Sequence, residues 1–441
     1  MPPPGRVAPD AECGAPFPLP NRVTARRLPP TPTGGTCLEL APKAAGFEPG
    51  RLAQITDHLN RNYIEPGKIA GCQALVARHG HVAYFESLGC MDRERAKPLR
   101  DDTIFRIYSM TKPITSVALM TLYERGYFQL NDPVHRAIPE WRDHEVWVSG
   151  EGPVMETRKP AQPMTFRHVL SHSGGLTYGA TNHPVDKAYR TVGVNRDRTE
   201  TLRSFVEKLA RVPLRYDPGE RWMYSFSTDV CGYLVEALSG KRFDRYLQET
   251  IFEPLGMKDT AFFVPPEKAD RFAANYQRQP DKTLQLIDDP EKSAYLQEPT
   301  FFSGGGGLTS TTADYLRFCE MLRRGGELDG ERILGPRTIR LMARNHLAGG
   351  TGDLTKMAIG AFSETAYEGV GFGLGFATTL SEVGAGTLGA GDYYWGGAAS
   401  TIFWVDPHED LEVIFMTQLM PSATFNFRGQ LKNIIYSAIV D

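Results

Sequence analysis

Residues 109–126, SMTKPITSVALMTLYERG, read as a helix with a reactive pair at its start. Ile114, Val117, Leu119 and Leu122 make an apolar face, Pro113 is tolerated because a first-turn residue needs no N–H partner, and Gly126 supplies the stop. Ser109 and Lys112 are three residues apart, so the hydroxyl and the amine share one face at the positive end of the helix. That pairing suits a nucleophilic serine whose proton passes to the lysine while free N–H groups hold an oxyanion. It also suits a capping serine beside a solvated lysine, and the tetrapeptide alone does not separate the two.

Working outward, the segment before this helix divides into three parts. The first forty-odd residues hold prolines from Pro2 to Pro42 and almost no apolar period, which resists both helix and sheet, so 1–45 is expected to be an extension. RLAQITDHLNRNYI then spaces Leu52, Ile55, Leu59 and Ile64 at helical intervals. GCQALVARHGHVAYFESLG alternates as two strands around a turn at His79-Gly80. Downstream, helical patterns such as TFRHVLSH, ETLRSFVEKLAR and STDVCGYLVEALSG run between Pro and Gly breaks from about Leu130 to Pro299. SGGGGLTS leads into the helix TTADYLRFCEMLRRGG. GFGLGFATTL, DYYWGGAASTIFWVDP and LEVIFMTQL follow as strands before a closing helix, NFRGQLKNIIYSAIV. Strands near both ends with helices between predict an α+β fold: one antiparallel sheet flanked by helices, with 46–130 and 300–441 forming a sheet domain and 131–299 a mainly helical insertion.

Composition closes off several functions. Across 441 residues, 49 Lys+Arg against 52 Asp+Glu leave a net charge of −3, too little for the electrostatic footprint of a nucleic-acid binder. No apolar run is long enough to span a bilayer, and MPPPGRVAPDAECG lacks the basic and apolar regions of an export signal, so a cytoplasmic protein is expected. The six cysteines form no C-x-x-C pair and read as reduced thiols. The histidines form no H-E-x-x-H, and His79 and His81 read as turn residues, so neither metal nor cofactor is expected. Gly384-Ala385-Gly386-Thr387-Leu388-Gly389 matches G-x-G-x-x-G but lies between strands without opening a helix, which removes the phosphate-binding helix end the motif needs. No G-x-S-x-G is present to make a nucleophile elbow.

Two further elements carry chemistry. Tyr224 lies between the turn Asp217-Pro218-Gly219 and a helix, where it serves either as an acid or base tuned by a neighbouring cation such as Lys112, or as a packed ring at a helix start. Trp395-Gly396-Gly397-Ala398 puts paired glycines within a strand, the mark of an edge approached closely by a ligand or backbone, or of a bulge at a sheet corner.

Taken together, Ser-x-x-Lys, a tyrosine about a hundred residues later and a glycine-rich strand near the C-terminus resemble the serine β-lactamase and penicillin-binding-protein superfamily. LNDPVHRAIPEW, TFRHVLSHSGGL, YDPGERWMYSFSTDVCGYLVEALSG, IFEPLGMKDT and SGGGGLTSTTADYLRF are similar to class C β-lactamase-related sequence, and the likeness spans Phe47 to Asp441. Trp395-Gly396-Gly397 stands where that superfamily has Lys-Thr-Gly, and Phe226 where Tyr-x-Asn has its amide. The Trp-Gly-Gly form is similar to family VIII carboxylesterases. The resemblance implies that Ser109 attacks an ester carbonyl and is acylated, that Lys112 and Tyr224 share the proton transfers, and that the N–H groups of Ser109 and Ala398 form the oxyanion hole. It further implies that Trp395, Gly396, Gly397 and Phe226 line the substrate site, and that the partner is a small, uncharged ester. An acyltransferase using the same acyl-enzyme, a β-lactamase or D-alanyl-D-alanine peptidase, and a non-catalytic binding protein are the competing expectations. Oligomeric state is not read from the sequence.

Overall fold

A computed structural model describes residues 39–347, 350, 352–356 and 367–441. Most of the extension expected over 1–45, with Cys13 and Cys37, lies outside the described residues, whereas Cys72, Cys90, Cys231 and Cys319 are free thiols.

The chain is α+β, built on one eight-stranded sheet. Its strands are β1 Gly71–Arg78, β2 His81–Asp92, β3 Lys97–Pro98, β4 Val370–Phe372, β5 Ala377–Thr379, β6 Tyr393–Gly396, β7 Ile402–Asp406 and β8 Leu411–Thr417, in the spatial order β4-β5-β6-β7-β8-β1-β2-β3. All neighbours are antiparallel. The predicted hairpin forms at Arg78↔His81, where His79 (φ 55) and Gly80 (φ 77) both take the left-handed conformation of a type I′ turn matched to strand twist. β1 then joins the C-terminal β8 from Cys72↔Thr417 to Arg78↔Leu411, which welds the two ends of the chain into one sheet. Every residue of β1 is buried, as a strand covered on both faces must be.

Helices supply the cover. The closing helix, Phe427–Tyr436, stacks Phe427 on Phe415 of β8 (4.7 Å between ring centres) and pairs Lys432 with Asp392 just before β6 at 2.5 Å, both side chains buried. Thr312–Arg323 covers the sheet elsewhere, with Tyr315 against Phe403 of β7. The helix read first from sequence spans Thr111–Glu124, with Pro113 in its first turn as expected. It is buried on all sides from Thr111 to Leu122, not on one face, because it packs against the helix Ser227–Ser239 as well as the body. Segment 131–299 carries helices including Phe166–Leu170, Pro184–Thr191 and Leu202–Leu209, and also two small hairpins, Val146–Ser149 with Glu156–Arg158 and Asn275–Arg278 with Leu284–Asp288. No helix of the described residues is long and apolar enough to cross a membrane.

Three strand readings change. DYYWGGAASTIFWVDP is two antiparallel strands, β6 and β7, joined by a turn at 397–401. GFGLGFATTL is not one strand: it folds back as β4 and β5, with Gly373 N–H bonding Phe376 O at 2.7 Å. Gly373 is required there because a Cβ would lie 2.0 Å from Met342 O. β6, expected at a sheet edge, is interior between β5 and β7. Its register with β5 ends at Ala377↔Tyr394, so only the last residues of β6 and the turn after them run past that neighbour.

Candidate active site

Ser109 sits in a 3₁₀ turn, Tyr108–Met110, one residue before the Thr111–Glu124 helix. The turn is held from behind. Phe105 and Arg106 pair with Ser310 and Thr309, Ile107 N–H reaches Leu308 O at 3.1 Å, and Leu308 N–H reaches Thr111 Oγ1 at 3.2 Å. Tyr108 takes φ 42, a left-handed conformation that an L side chain holds only when its surroundings over-determine it. The result presents a half-buried Ser109 at a helix start.

One helical turn on, Lys112 is 1% exposed, so its ammonium depends on partners inside the protein. Nζ donates to Ser109 Oγ at 3.0 Å and to Gly305 O at 2.6 Å. It also lies 4.5 Å from the ring centre of Tyr224. The tyrosine, half-buried, is packed between His172 (5.0 Å), Tyr178 (5.2 Å) and Trp395 (5.3 Å between ring centres). Its phenol oxygen accepts the indole N–H of Trp395 at 3.2 Å. Burial, reinforced by the charges of Lys112 and Arg196, holds the His172 imidazole well below its ordinary range and therefore neutral. Burial likewise pushes the Tyr178 phenol up to about 12 against the pull of Arg196. Burial thus keeps His172 and Tyr178, two of the rings near Lys112, neutral around pH 7.

The glycine pair meets the serine turn from the other side. A Cβ on Gly397 would lie 2.4 Å from Ile107 O and 2.3 Å from Thr401 Oγ1, so this position excludes any side chain. The next residues close a tight loop, with Gly397 N–H bonding Thr401 O at 2.7 Å, Ser400 N–H bonding Gly397 O at 2.9 Å, and Ser400 at φ 66. None of the hydrogen bonds among the described residues uses Ala398 N–H, and Ala398 is half-buried, one residue past the Gly397 that packs on Ile107 O.

Of the residues singled out from sequence, the structure brings together Ser109, Lys112, Tyr224 and Trp395 and sets Gly397 against Ile107 O, two residues before the serine, with Gly396 and Ala398 on either side of that glycine. It separates Phe226, which is 5% exposed. Its ring packs on Tyr178 (4.8 Å) and Phe205 (5.2 Å), because as N-cap of the Ser227–Ser239 helix it points into the inserted helices. Trp395 also departs from expectation. At 1% exposure its indole is not an open pocket wall but a buried partner of Tyr224 and Phe372.

Sequence reasoning missed Gly305, which accepts from Lys112, and Asp229, whose Oδ1 accepts Gly305 N–H at 3.0 Å and Ser303 Oγ–H at 2.5 Å while Oδ2 takes Arg196 at 2.9 Å. The available signals were an aspartate in the first turn of an otherwise apolar helix and four successive glycines in SGGGG. Two of those glycines are sterically required: a Cβ on Gly304 would stand 2.6 Å from Thr228 O, and one on Gly305 would stand 2.5 Å from Asp229 Oδ2.

A serine, a buried lysine and a tyrosine gathered beside the end of an antiparallel strand, with the tyrosine lying just before the helix Ser227–Ser239, define a β-lactamase-like serine hydrolase. The chain belongs to the Beta-lactamase family, whose model matches residues 56–434. It is 31% identical over 366 residues to Protein Rv1367c of Mycobacterium tuberculosis, covering 82% of this chain and 88% of that one. It is 30% identical over 401 residues to Esterase EstB of Burkholderia gladioli, covering 87% and 94%. Among solved structures, EstCE1, described as a hydrolase with promiscuous acyltransferase activity, superposes with a TM-score of 0.74 at 27% identity, covering 88% of this chain and 99% of that one.

Proposed function

We propose that this protein is a cytoplasmic serine carboxylesterase that hydrolyses short- to medium-chain, uncharged esters through an acyl-enzyme on Ser109. The observation that carries the reading is the position of Lys112 Nζ, 3.0 Å from Ser109 Oγ and at the same time over the ring of Tyr224. Similarity to an esterase along most of both chains supports it.

In this mechanism Ser109 Oγ attacks the ester carbonyl carbon as its proton passes to the Lys112–Tyr224 pair. The carbonyl oxygen gathers negative charge at the N–H groups of Ser109 and Ala398; losing one such donor typically costs ~3 to 4 kcal/mol. Collapse breaks the bond to the alcohol oxygen, which leaves with the stored proton. Water then attacks the acyl carbon, its proton goes to the same pair, and Ser109 Oγ leaves and takes that proton back. Trp395 contributes a neutral hydrogen bond to the Tyr224 oxygen, which favours the phenolate without adding a cation that would attract anionic substrates.

A second reading has support of its own: an alcohol in place of water would make the enzyme an acyltransferase, and EstCE1 is described as having both activities. We also propose the division of the chain into a sheet domain, 46–130 with 300–441, and an inserted domain, 131–299. The test is incubation with p-nitrophenyl butyrate followed by intact-mass analysis. The expected result is p-nitrophenol release with a butyryl adduct on Ser109. Release of acyl product to an added alcohol faster than to water would favour the transferase. Rapid cleavage of a chromogenic cephalosporin with slow ester turnover would overturn the esterase reading.

A further inference from the structure

The geometry points to Asp229 as a positioning residue for Lys112, acting through the backbone of Gly305; the inference rests on the esterase reading above. Lys112 keeps its place over Ser109 through Gly305 O, at 2.6 Å, so the aim of Nζ depends on how that carbonyl is held. The ends of the glycine loop are fastened to the nucleophile's own helix: Thr115 Oγ1 donates to Gly304 O at 2.8 Å, and Leu308 N–H reaches Thr111 Oγ1 at 3.2 Å. Its centre is fastened elsewhere. Asp229 Oδ1 takes Gly305 N–H at 3.0 Å on one side of the glycine and Ser303 Oγ–H at 2.5 Å, while Gly306 N–H bonds Ser303 O at 3.3 Å on the other. Glycine has no side chain of its own to limit its torsions, so these bonds set the direction of Gly305 O.

The carboxylate is itself locked. Its side chain is 0% exposed, and Oδ2 receives Arg196 Nη2 at 2.9 Å and Nε at 3.2 Å. A buried carboxylate costs several kcal/mol unless paired, and Arg196 supplies that pair. Arg196 in turn lies 5.1 Å from the ring centre of Tyr178, which packs edge-on to Tyr224. One side chain on the Ser227–Ser239 helix therefore ties the tyrosine side of the site to the lysine side.

The test separates this role from simple support of the fold. Asp229→Asn keeps an oxygen for Gly305 N–H but turns an amide N–H₂ toward Arg196; Asp229→Ala removes both. With p-nitrophenyl butyrate, Asp229→Ala is expected to lower kcat about 10²-fold with KM changed less than about threefold, the signature of a misaimed catalytic group, and Asp229→Asn is expected to recover at least about tenfold of that loss. Gly305→Ala provides a second route that leaves both charges in place, because its Cβ would stand 2.5 Å from Asp229 Oδ2 and 2.4 Å from Arg196 Nη2. It is expected to lose kcat in the same way, and it decides the matter if Asp229→Ala does not fold. Wild-type kcat in either folded variant, or an Asp229→Asn enzyme as poor as Asp229→Ala, would overturn the inference. Absence of p-nitrophenol release by the wild type would instead overturn the esterase reading itself.

Discussion

Trp395→Phe removes one hydrogen-bond donor and little else, and its effect reports the charge on Tyr224 during the reaction. The phenyl ring keeps the edge-on contact with Phe372 and the packing on Tyr224, whereas the bond from Nε1 to the Tyr224 oxygen, 3.2 Å in the wild type, has no replacement. If the tyrosine stays neutral throughout, the bond is an ordinary one worth about 0.5 to 1.5 kcal/mol, and kcat falls only about two- to tenfold. If the tyrosine is a phenolate that takes the Ser109 proton, the bond to that reactive form is charge-assisted, worth about 1.5 to 3 kcal/mol, and losing it depletes the form and lowers kcat about 10- to 10²-fold. A Tyr224 phenolate as the base requires the larger loss, and Lys112 as the base requires the smaller. The space left by the indole also lowers stability by roughly 1 to 2 kcal/mol at a position 1% exposed, so thermal unfolding is measured beside activity. The assay is saturation kinetics of p-nitrophenyl butyrate at a temperature well below the variant's Tm, with the acylation burst recorded separately. A folded Trp395→Phe enzyme with kcat within about twofold of wild type would refute the reasoning that this indole stabilises a phenolate.

Other substitutions test the remaining links. Ser109→Ala and Lys112→Ala are expected to abolish turnover and the acyl adduct seen by mass spectrometry, and Tyr224→Phe to lower kcat by about 10² or more. Gly397→Ala forces a Cβ to within 2.4 Å of Ile107 O, and steady-state kinetics should show a loss of at least about 10²-fold, as expected when an oxyanion donor is moved. A pH effect on stability is expected from Asp314, which burial raises to about 6 despite bonds from Asp259 N–H and Thr260 Oγ1. A raised carboxyl makes the folded state the tighter proton binder, so stability should increase as pH falls from above 6 toward 4, by up to about 3 kcal/mol. Denaturant titrations of wild type and Asp314→Asn at pH 7.5 and 5 should show this slope in the wild type and its loss in the variant.

Local pattern made the frame legible. His79-Gly80 between alternating strands specified a two-residue turn, and Pro113 and Gly126 bracketed a helix with Lys112 in its first turn and Ser109 in the 3₁₀ turn just before it. What the pattern did not convey was the direction of side chains whose surroundings come from distant parts of the chain. Phe226 follows Tyr224 by two residues, yet the helix that begins at Ser227 rotates it away toward Phe205. GFGLGFATTL reads as a strand by composition, yet it folds back where Met342 O accepts Leu374 N–H at 2.9 Å and leaves no room for a Cβ on Gly373, a contact no window of sequence contains. Asp229 was hidden for the same reason, since its value lies in a loop 76 residues away.

The burial of Trp395 bears on why an indole stands where the wider superfamily has lysine. Lys112 is already a buried amine, its charge accommodated by Gly305 O and by the faces of Tyr224 and Tyr178. A second ammonium at a position 1% exposed, against the rings of Tyr224 and Phe372, would have to be desolvated beside a like charge. An indole supplies what the phenol oxygen needs, a single directed donor, without that cost. In the proposed mechanism the exchange gives up an electrostatic hold on a substrate carboxylate and keeps a hydrogen bond to the Tyr224 oxygen. Trp395→Lys is therefore expected to fail as a restoration of β-lactamase character: the charge would be driven neutral or expelled, the protein would lose several kcal/mol of stability, and cephalosporin turnover would not appear. A folded Trp395→Lys enzyme that gained it would show that a second buried cation is tolerated here after all.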